Sequence, residues 1–166
     1  MIAARNAPGA LVAALLAALM AALPFPAAAA DLRAFDAASL PAIKAAHAGR
    51  PFVLAFWSIH CAPCIEDMPD WRALQQRYPG VPILLVTTDP PAERSRVARI
   101  LAHYPPGNVE TWAFADDYAE RIRFAVDRSW RGELPRTYFY DGAHGVEVVS
   151  GRLDRRLADA WFARRR

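Results

Sequence analysis

The run Phe52-Val-Leu-Ala-Phe-Trp57, opened by Pro51, contains no charged or polar side chain apart from the indole N–H of Trp57. A strand wetted on one face alternates apolar and polar residues, so an unbroken apolar run demands cover on both faces. Val81-Pro-Ile-Leu-Leu-Val86 has the same character. Such strands belong inside an α/β sandwich, and the segments around them read as helical. Helix is expected over residues 39–48, with Ser39 as cap, Pro41 in the first turn and Gly49 as the stop. From Cys61 to about Tyr78, Ile65, Met68, Trp71, Leu74 and Gln75 fall on one side, and Pro79-Gly80 ends the segment. Pro90 and Pro91 introduce a helix through about His103, with Val97, Ile100 and Leu101 inward, broken by Pro105-Pro-Gly107. Residues 109–115 are expected as strand, 118–125 as a short helix and 129–133 as loop. Arg136–Tyr140 and Val146–Val149 read as a hairpin across Asp141–Gly145. Asp154 caps a last helix whose inner face is expected to carry Leu157, Trp161 and Phe162.

The amino terminus differs in composition. Arg5 is the only charged residue among the first thirty, and an apolar run from Ala10 to Leu23 is followed by Pro24, Pro26 and a row of alanines. A positive start, an apolar middle and a small-residue end are the parts of a secretory signal. The run is about 14 residues, whereas a helix crossing the hydrocarbon core needs roughly 20. Residues 1–30 are therefore expected to be a signal peptide cut after Ala30, with an uncleaved anchor in the inner membrane as the alternative. Export to the periplasm matters chemically, because disulfides persist there. The remaining residues, 31–166, have the length of one domain. A content of 54% hydrophobic and 22% charged residues excludes disorder. A net charge of +3 is too mild to predict a nucleic-acid partner. Arg164-Arg165-Arg166 reads as a solvated helix end that complements the helix dipole.

Cys61 and Cys64 are the chain's two cysteines, so a multi-bridge scaffold is excluded. At a strand-to-helix junction, two intervening residues let one helical turn bring the sulfurs together with little backbone movement. Free N–H groups at the helix start favour a thiolate, taking Cys61 from about 8.5 toward roughly 7 or below. Cys61 is thus the expected attacking sulfur. Cys64, one turn inside and better shielded, is placed to attack the resulting mixed disulfide. Ala62 and Pro63 lie between them, Pro63 where a missing N–H costs little.

Phe56-Trp57-Ser-Ile-His-Cys61-Ala-Pro-Cys64 resembles the active-site strand and turn of thioredoxins. Pro69 falls where thioredoxin-like proteins carry a helix-kinking proline, and Asp67-Met-Pro69 resembles the Glu-Met-Pro signature of the exported TlpA type. Leu134-Pro135-Arg-Thr137-Tyr-Phe is similar to the segment that holds that family's cis-proline. The resemblance covers roughly residues 31–166. It implies the thioredoxin-like fold, a central mixed β-sheet flanked by helices on both faces. It also implies an exported enzyme that reduces or exchanges disulfides in partner proteins without a cofactor, its electrons resupplied by a membrane thiol donor. A cis bond before Pro135 would leave the backbone of Leu134 free to pair with a substrate strand. A trans proline opening an edge strand is the alternative.

Two positions depart from the pattern. Ala55 stands where cytoplasmic thioredoxins carry a buried aspartate, so a proton acceptor for Cys64 must be sought elsewhere. Asp67, at i+3 from Cys64, is the first candidate, and a solvated acid is the alternative. His60 replaces the tryptophan common before the first cysteine; as imidazolium it would lower the Cys61 pKa, or it is an exposed rim residue. Trp57 is expected to pack beneath the cysteine turn, and Glu66 to lie at the surface. His47, His103 and His144 lack the paired spacing of a zinc site, and no metal is assigned. Two other functions compete: a copper module with Cys61 and Cys64 as thiolate ligands beside His60, and a static disulfide in a binding domain. Specificity is expected around Leu134, Arg136 and the loops flanking the cysteines, with residues 104–133 shaping a partner surface.

Overall fold

The computed structural model describes residues 32–165. The expected signal segment lies outside the described residues, and so do Asp31 and Arg166. No helix among the described residues is long and apolar enough to cross a membrane.

The elements run β1 (Arg33–Phe35), α1 (Ser39–Ala46), β2 (Phe52–Trp57), α2 (Ala62–Glu66), α3 (Met68–Arg77), β3 (Ile83–Thr87) and α4 (Arg94–His103). They continue with β4 (Glu110–Phe114), α5 (Ala119–Val126), β5 (Arg136–Tyr140), β6 (Val146–Ser150) and α6 (Arg155–Ala163). The strands form one sheet ordered β1-β4-β3-β2-β5-β6. β1, β4, β3 and β2 are parallel, while β5 and β6 run antiparallel to their neighbours. The fold class is thus the expected α/β sandwich around a mixed sheet.

The apolar run of β2 is explained by its central place. Val53, Ala55 and Trp57 face a core shared with Met68, Trp71, Leu74, Val97, Leu101, Trp161 and Phe162 of α3, α4 and α6. Phe52, Leu54 and Phe56 face the other core, with Leu40 and Ile43 of α1 and Ile122 of α5. Every residue of β2 is buried. A period of two thus splits one strand between two cores, leaving no face for water.

Several expectations are corrected. The helix expected from Cys61 to Tyr78 is two segments that meet at Asp67. Pro69 has no N–H to give to the carbonyl of Ile65, and its ring crowds the preceding turn, so the ladder breaks there. Ser39 is the first residue of α1, not its side-chain cap. The turn before it is built by Asp36, whose Oδ1 accepts from Ala38 N at 2.9 Å and from Ser39 Oγ at 2.9 Å. Leu157 is 67% exposed, and the inner face of α6 is Ala158, Trp161 and Phe162. Leu157 precedes Ala158 by one residue, about 100° around the helix, which turns it to solvent. The second buried run enters the sheet only at Ile83, whose N–H donates to Oε1 of the buried Gln75 at 2.8 Å. β1 was not anticipated: it has three residues, and only Phe35 is buried.

Arg136, expected to read partners, is instead committed to the fold. Its Nη2 lies 2.8 Å from Asp127 Oδ2, its Nη1 donates to Ser150 Oγ at 2.6 Å, and its side chain is mostly buried. Tyr138 Oη donates to Asp127 Oδ2 at 3.1 Å. The Ser129 hydroxyl first, then the Ser129 N–H, Arg136 and Tyr138, hold the Asp127 carboxyl at about 2. A folded pKa below the unfolded one contributes stability above the unfolded value, and that contribution is lost as pH falls through the folded value. Asp127→Asn is expected to cost about 1–2 kcal/mol at pH 7 after allowance for partial exposure. Denaturant titrations should show the deficit vanishing between pH 4 and about 2.

Candidate active site

β2 sits beside β5 and delivers the chain to the turn at Ser58–Cys61. Cys61 is the N-cap of α2, with extended backbone, and its Sγ accepts from the N–H of Cys64 at 3.3 Å. Cys61 and Cys64 form a disulfide, with Cα atoms 5.2 Å apart. Cys61 is partly exposed and Cys64 is 2% exposed. Ala62 and Pro63 are exposed on the same turn, and Pro63 lies in the first turn of α2, as expected. The pair is therefore asymmetric: Cys61 is partly exposed at the edge of the core, and Cys64 is enclosed in it with Trp57 and Met68. The Cys64 N–H aimed at Cys61 Sγ supplies the local positive potential that favours a thiolate there once the bond is reduced.

A polar network fixes this turn. Asp89, 4% exposed, accepts from Ser58 Oγ at 2.6 Å and from the N–H of Ile59 at 2.9 Å. It also accepts from Thr87 Oγ1. Ser58 Oγ accepts in turn from His60 N at 3.0 Å, and Cys61 N donates to Ser58 O at 3.1 Å. A buried carboxylate just beyond β3 thus ties the first two residues of the cysteine turn to the sheet, and Ser58 in turn holds His60 and Cys61. Asp89 and its partners were missed in the sequence. The signal for them was a polar cluster, Thr87-Thr-Asp-Pro-Pro91, at the carboxyl end of a buried strand, where α/β sheets place their sites.

His60 is exposed, with Nε2 2.8 Å from Glu93 Oε2, and Glu93 Oε1 lies 2.5 Å from Arg96. The hydrogen bond to His60 is the largest influence lowering the Glu93 pKa. Nitrogen and oxygen atoms of His60, Asp89 and Glu93 lie within 4.8 Å of one another, the nearest approach to a metal-binding set among the described residues. Each already has a hydrogen-bond partner, so the cluster is satisfied without an ion. His47 and His144 meet at Phe52, whereas His103 packs against Tyr104.

Asp67 is not the solvated acid weighed as its alternative: it is 2% exposed. Its Oδ2 accepts from Leu153 N at 2.9 Å, and its Oδ1 lies 3.6 Å from Arg152 Nε, while Arg152 Nη1 lies 3.0 Å from Glu66 Oε2. Burial pushes its carboxyl above the ordinary range, against the pull of Leu153 and Arg152. Pro69, at the start of α3, is exposed. Ala55 is 3% exposed and belongs to the same core as Cys64, so that wall of the site holds no acid.

The Leu134–Pro135 bond is cis. Pro135 is buried, and Leu134 packs partly against both cores, the one holding Cys64 among them. The carbonyl of Pro135 accepts from Gly151 N at 2.8 Å, which anchors the loop to the hairpin.

No protein-family model matches the chain, and no curated protein matches it. Solved structures do. A secreted disulfide oxidoreductase of Mycobacterium tuberculosis, homologous to E. coli DsbE, superimposes with a TM-score of 0.58 at 20% identity, over 72% of this chain and 85% of that one. A thiol:disulfide interchange protein of the thioredoxin family from Chlorobium tepidum gives 0.59 at 17% identity, over 74% and 83%. StoA from Bacillus subtilis gives 0.52 at 15% identity, over 69% and 83%. The fold is thioredoxin-like, with a Cys-X-X-Cys disulfide at the junction of β2 and α2.

Proposed function

We propose that this chain is an exported thiol-disulfide oxidoreductase that reduces or exchanges disulfides in partner proteins. The observation that carries the reading is the asymmetric Cys61–Cys64 disulfide at the start of α2. In the reduced protein, Cys61 thiolate attacks one sulfur of a partner disulfide, forming a mixed disulfide and releasing the other partner sulfur as thiolate. Cys64 then loses its proton to Asp67 and attacks Cys61 Sγ, releasing the second partner thiolate and closing Cys61–Cys64. The partner gains two electrons and the protein loses two. Leu134 and Pro135 receive the partner's backbone, and His60 lies beside the attacking sulfur in the chain. A membrane thiol donor returns the two electrons. Residues 1–30 direct export to the periplasm and are then removed, in keeping with the secreted character of the Mycobacterium tuberculosis protein.

Cys64→Ser is expected to hold partners on Cys61 as mixed disulfides, visible as dithiothreitol-sensitive adducts on non-reducing gels. No adducts with Cys64→Ser, with the parent inert to dithiothreitol, would make the bond a static one. Redox equilibration with glutathione separates directions: a potential near roughly −270 mV fits a reductase, and one near roughly −120 mV removes that role.

A further inference from the structure

The loop that enters Pro135 also borders a cavity of about 310 Å³, lined by Glu120, Arg123, Phe124, Arg128, Trp130 and Arg131. Elsewhere in this region the arginines are paired, Arg121 with Asp116 and Arg136 with Asp127. Among the described residues, no carboxylate lies within ion-pair distance of Arg123, Arg128 or Arg131. Their placement is nevertheless defined. Gly132, at φ +105°, packs on Arg123: a Cβ there would lie in ordinary contact, 3.5 Å from the guanidinium carbon. The Arg128 guanidinium lies 5.2 Å from the centre of the Phe124 ring, and Arg131 Nη1 donates to the carbonyl of Arg128 at 3.1 Å. Phe124 is 55% exposed. Two acids stand near: Glu120 lines the cavity, and Glu133 accepts from the N–H of Arg131.

The floor of the cavity is joined to the loop that enters Pro135, on the face of β2 opposite Cys64. Trp130 packs on Phe56, with ring centroids 4.6 Å apart, and its Nε1 donates to the carbonyl of Glu133, the residue before Leu134. Arg131 precedes Pro135 by four residues, so their Cα atoms are at most about 14 Å apart. A peptide that crosses Leu134 and continues along this loop would need about four extended residues to span that distance.

We infer that this cavity receives an acidic segment of the partner protein, adjoining the disulfide on which Cys61 acts. Guanidinium forks match carboxylates in a two-point geometry, and Phe124 offers an apolar face beside them. This assignment rests on the redox function proposed above and adds the chemistry of the partner to it.

The test measures how fast the reduced protein reduces disulfides of cysteine peptides bearing Glu, Gln or Lys about four residues from the cysteine. Neutral hydroxyethyl disulfide is the reference. The acidic peptide is expected to react about tenfold faster than the basic one at low ionic strength, with the difference closing in high salt. In an Arg123→Glu, Arg128→Glu double variant the order should reverse while the reference rate stays unchanged. Equal rates for acidic and basic peptides, or a preference that survives the substitutions, overturns the assignment. So does arginine-dependent pelleting with phosphatidylglycerol vesicles in the absence of any peptide preference, which gives the cavity to a membrane surface. Failure to reduce hydroxyethyl disulfide is a separate outcome: it removes the redox function itself and this inference with it.

Discussion

Asp67→Asn is expected to slow release of the partner from its mixed disulfide with Cys61 by about a hundredfold, while the first attack by Cys61 proceeds nearly as before. Cys64 is buried, and a buried thiol resists ionisation, so its attack needs a nearby base. Ala55 offers none, and Asp67 follows Cys64 by three residues, inside the fold. Burial has already moved its carboxyl toward the protonated state, which makes it a better proton acceptor than a solvated aspartate. Asparagine keeps the oxygen that accepts from Leu153 N but cannot take a proton. Quenched-flow separation of attack and resolution reads the effect, and equal resolution rates would exclude Asp67 as the base. The same variant carries a stability signature. A folded pKa above the unfolded one gives stability that is complete below the unfolded value and is lost as pH rises through the folded value. The stability of the parent relative to Asp67→Asn should therefore fall as pH rises across that window.

Asp89→Ala is expected to cost about 3 kcal/mol and to lower Tm by roughly 10 °C, measured by denaturant and thermal unfolding of the oxidised protein. The substitution strips an acceptor from Ser58 Oγ, Thr87 Oγ1 and the N–H of Ile59, two of them on buried residues. Each orphaned donor loses a charge-assisted bond where water has little access. Asp89→Asn restores the size but adds an N–H among groups that already donate, so it should recover only part of the loss. The functional counterpart is a slower reaction of Cys61 with small disulfides, because the Ser58–His60 turn that positions it is no longer tied to β3. A parent-like rate and a stability change below about 1 kcal/mol would show that the network does not hold the turn.

The sheet's centre was legible because β2 is apolar throughout and β3 is apolar up to its last residue, Thr87, a pattern that few other environments tolerate. The cysteine turn was legible for a similar reason: the chemistry needs two sulfurs at one spacing, at a place the strand pattern had already located. The periphery was harder. β1 has a single buried side chain, Phe35, too little for a periodicity, and its pairing partner β4 is more than seventy residues away. Leu157 looked internal because it is apolar, but its position relative to Ala158 turns it outward. Asp67 and Arg136 show the limit most clearly. Whether a charged side chain is buried or committed to a partner depends on residues such as Arg152, Leu153 and Asp127, and local sequence does not announce those meetings.

The partial exposure of Cys61 and the enclosure of Cys64 also bear on the order of traffic that the proposed function requires. A donor and an acceptor of electrons must both address Cys61, since Cys64 presents no surface to either. On the proposed function the two therefore take turns at Cys61. Under the proposed function the protein would be a shuttle, loaded in one encounter and discharged in the next, and its steady-state kinetics are expected to give the parallel double-reciprocal lines of a substituted-enzyme mechanism. Each partner then competes with the other for one berth, and an excess of oxidised partner slows reloading by the donor.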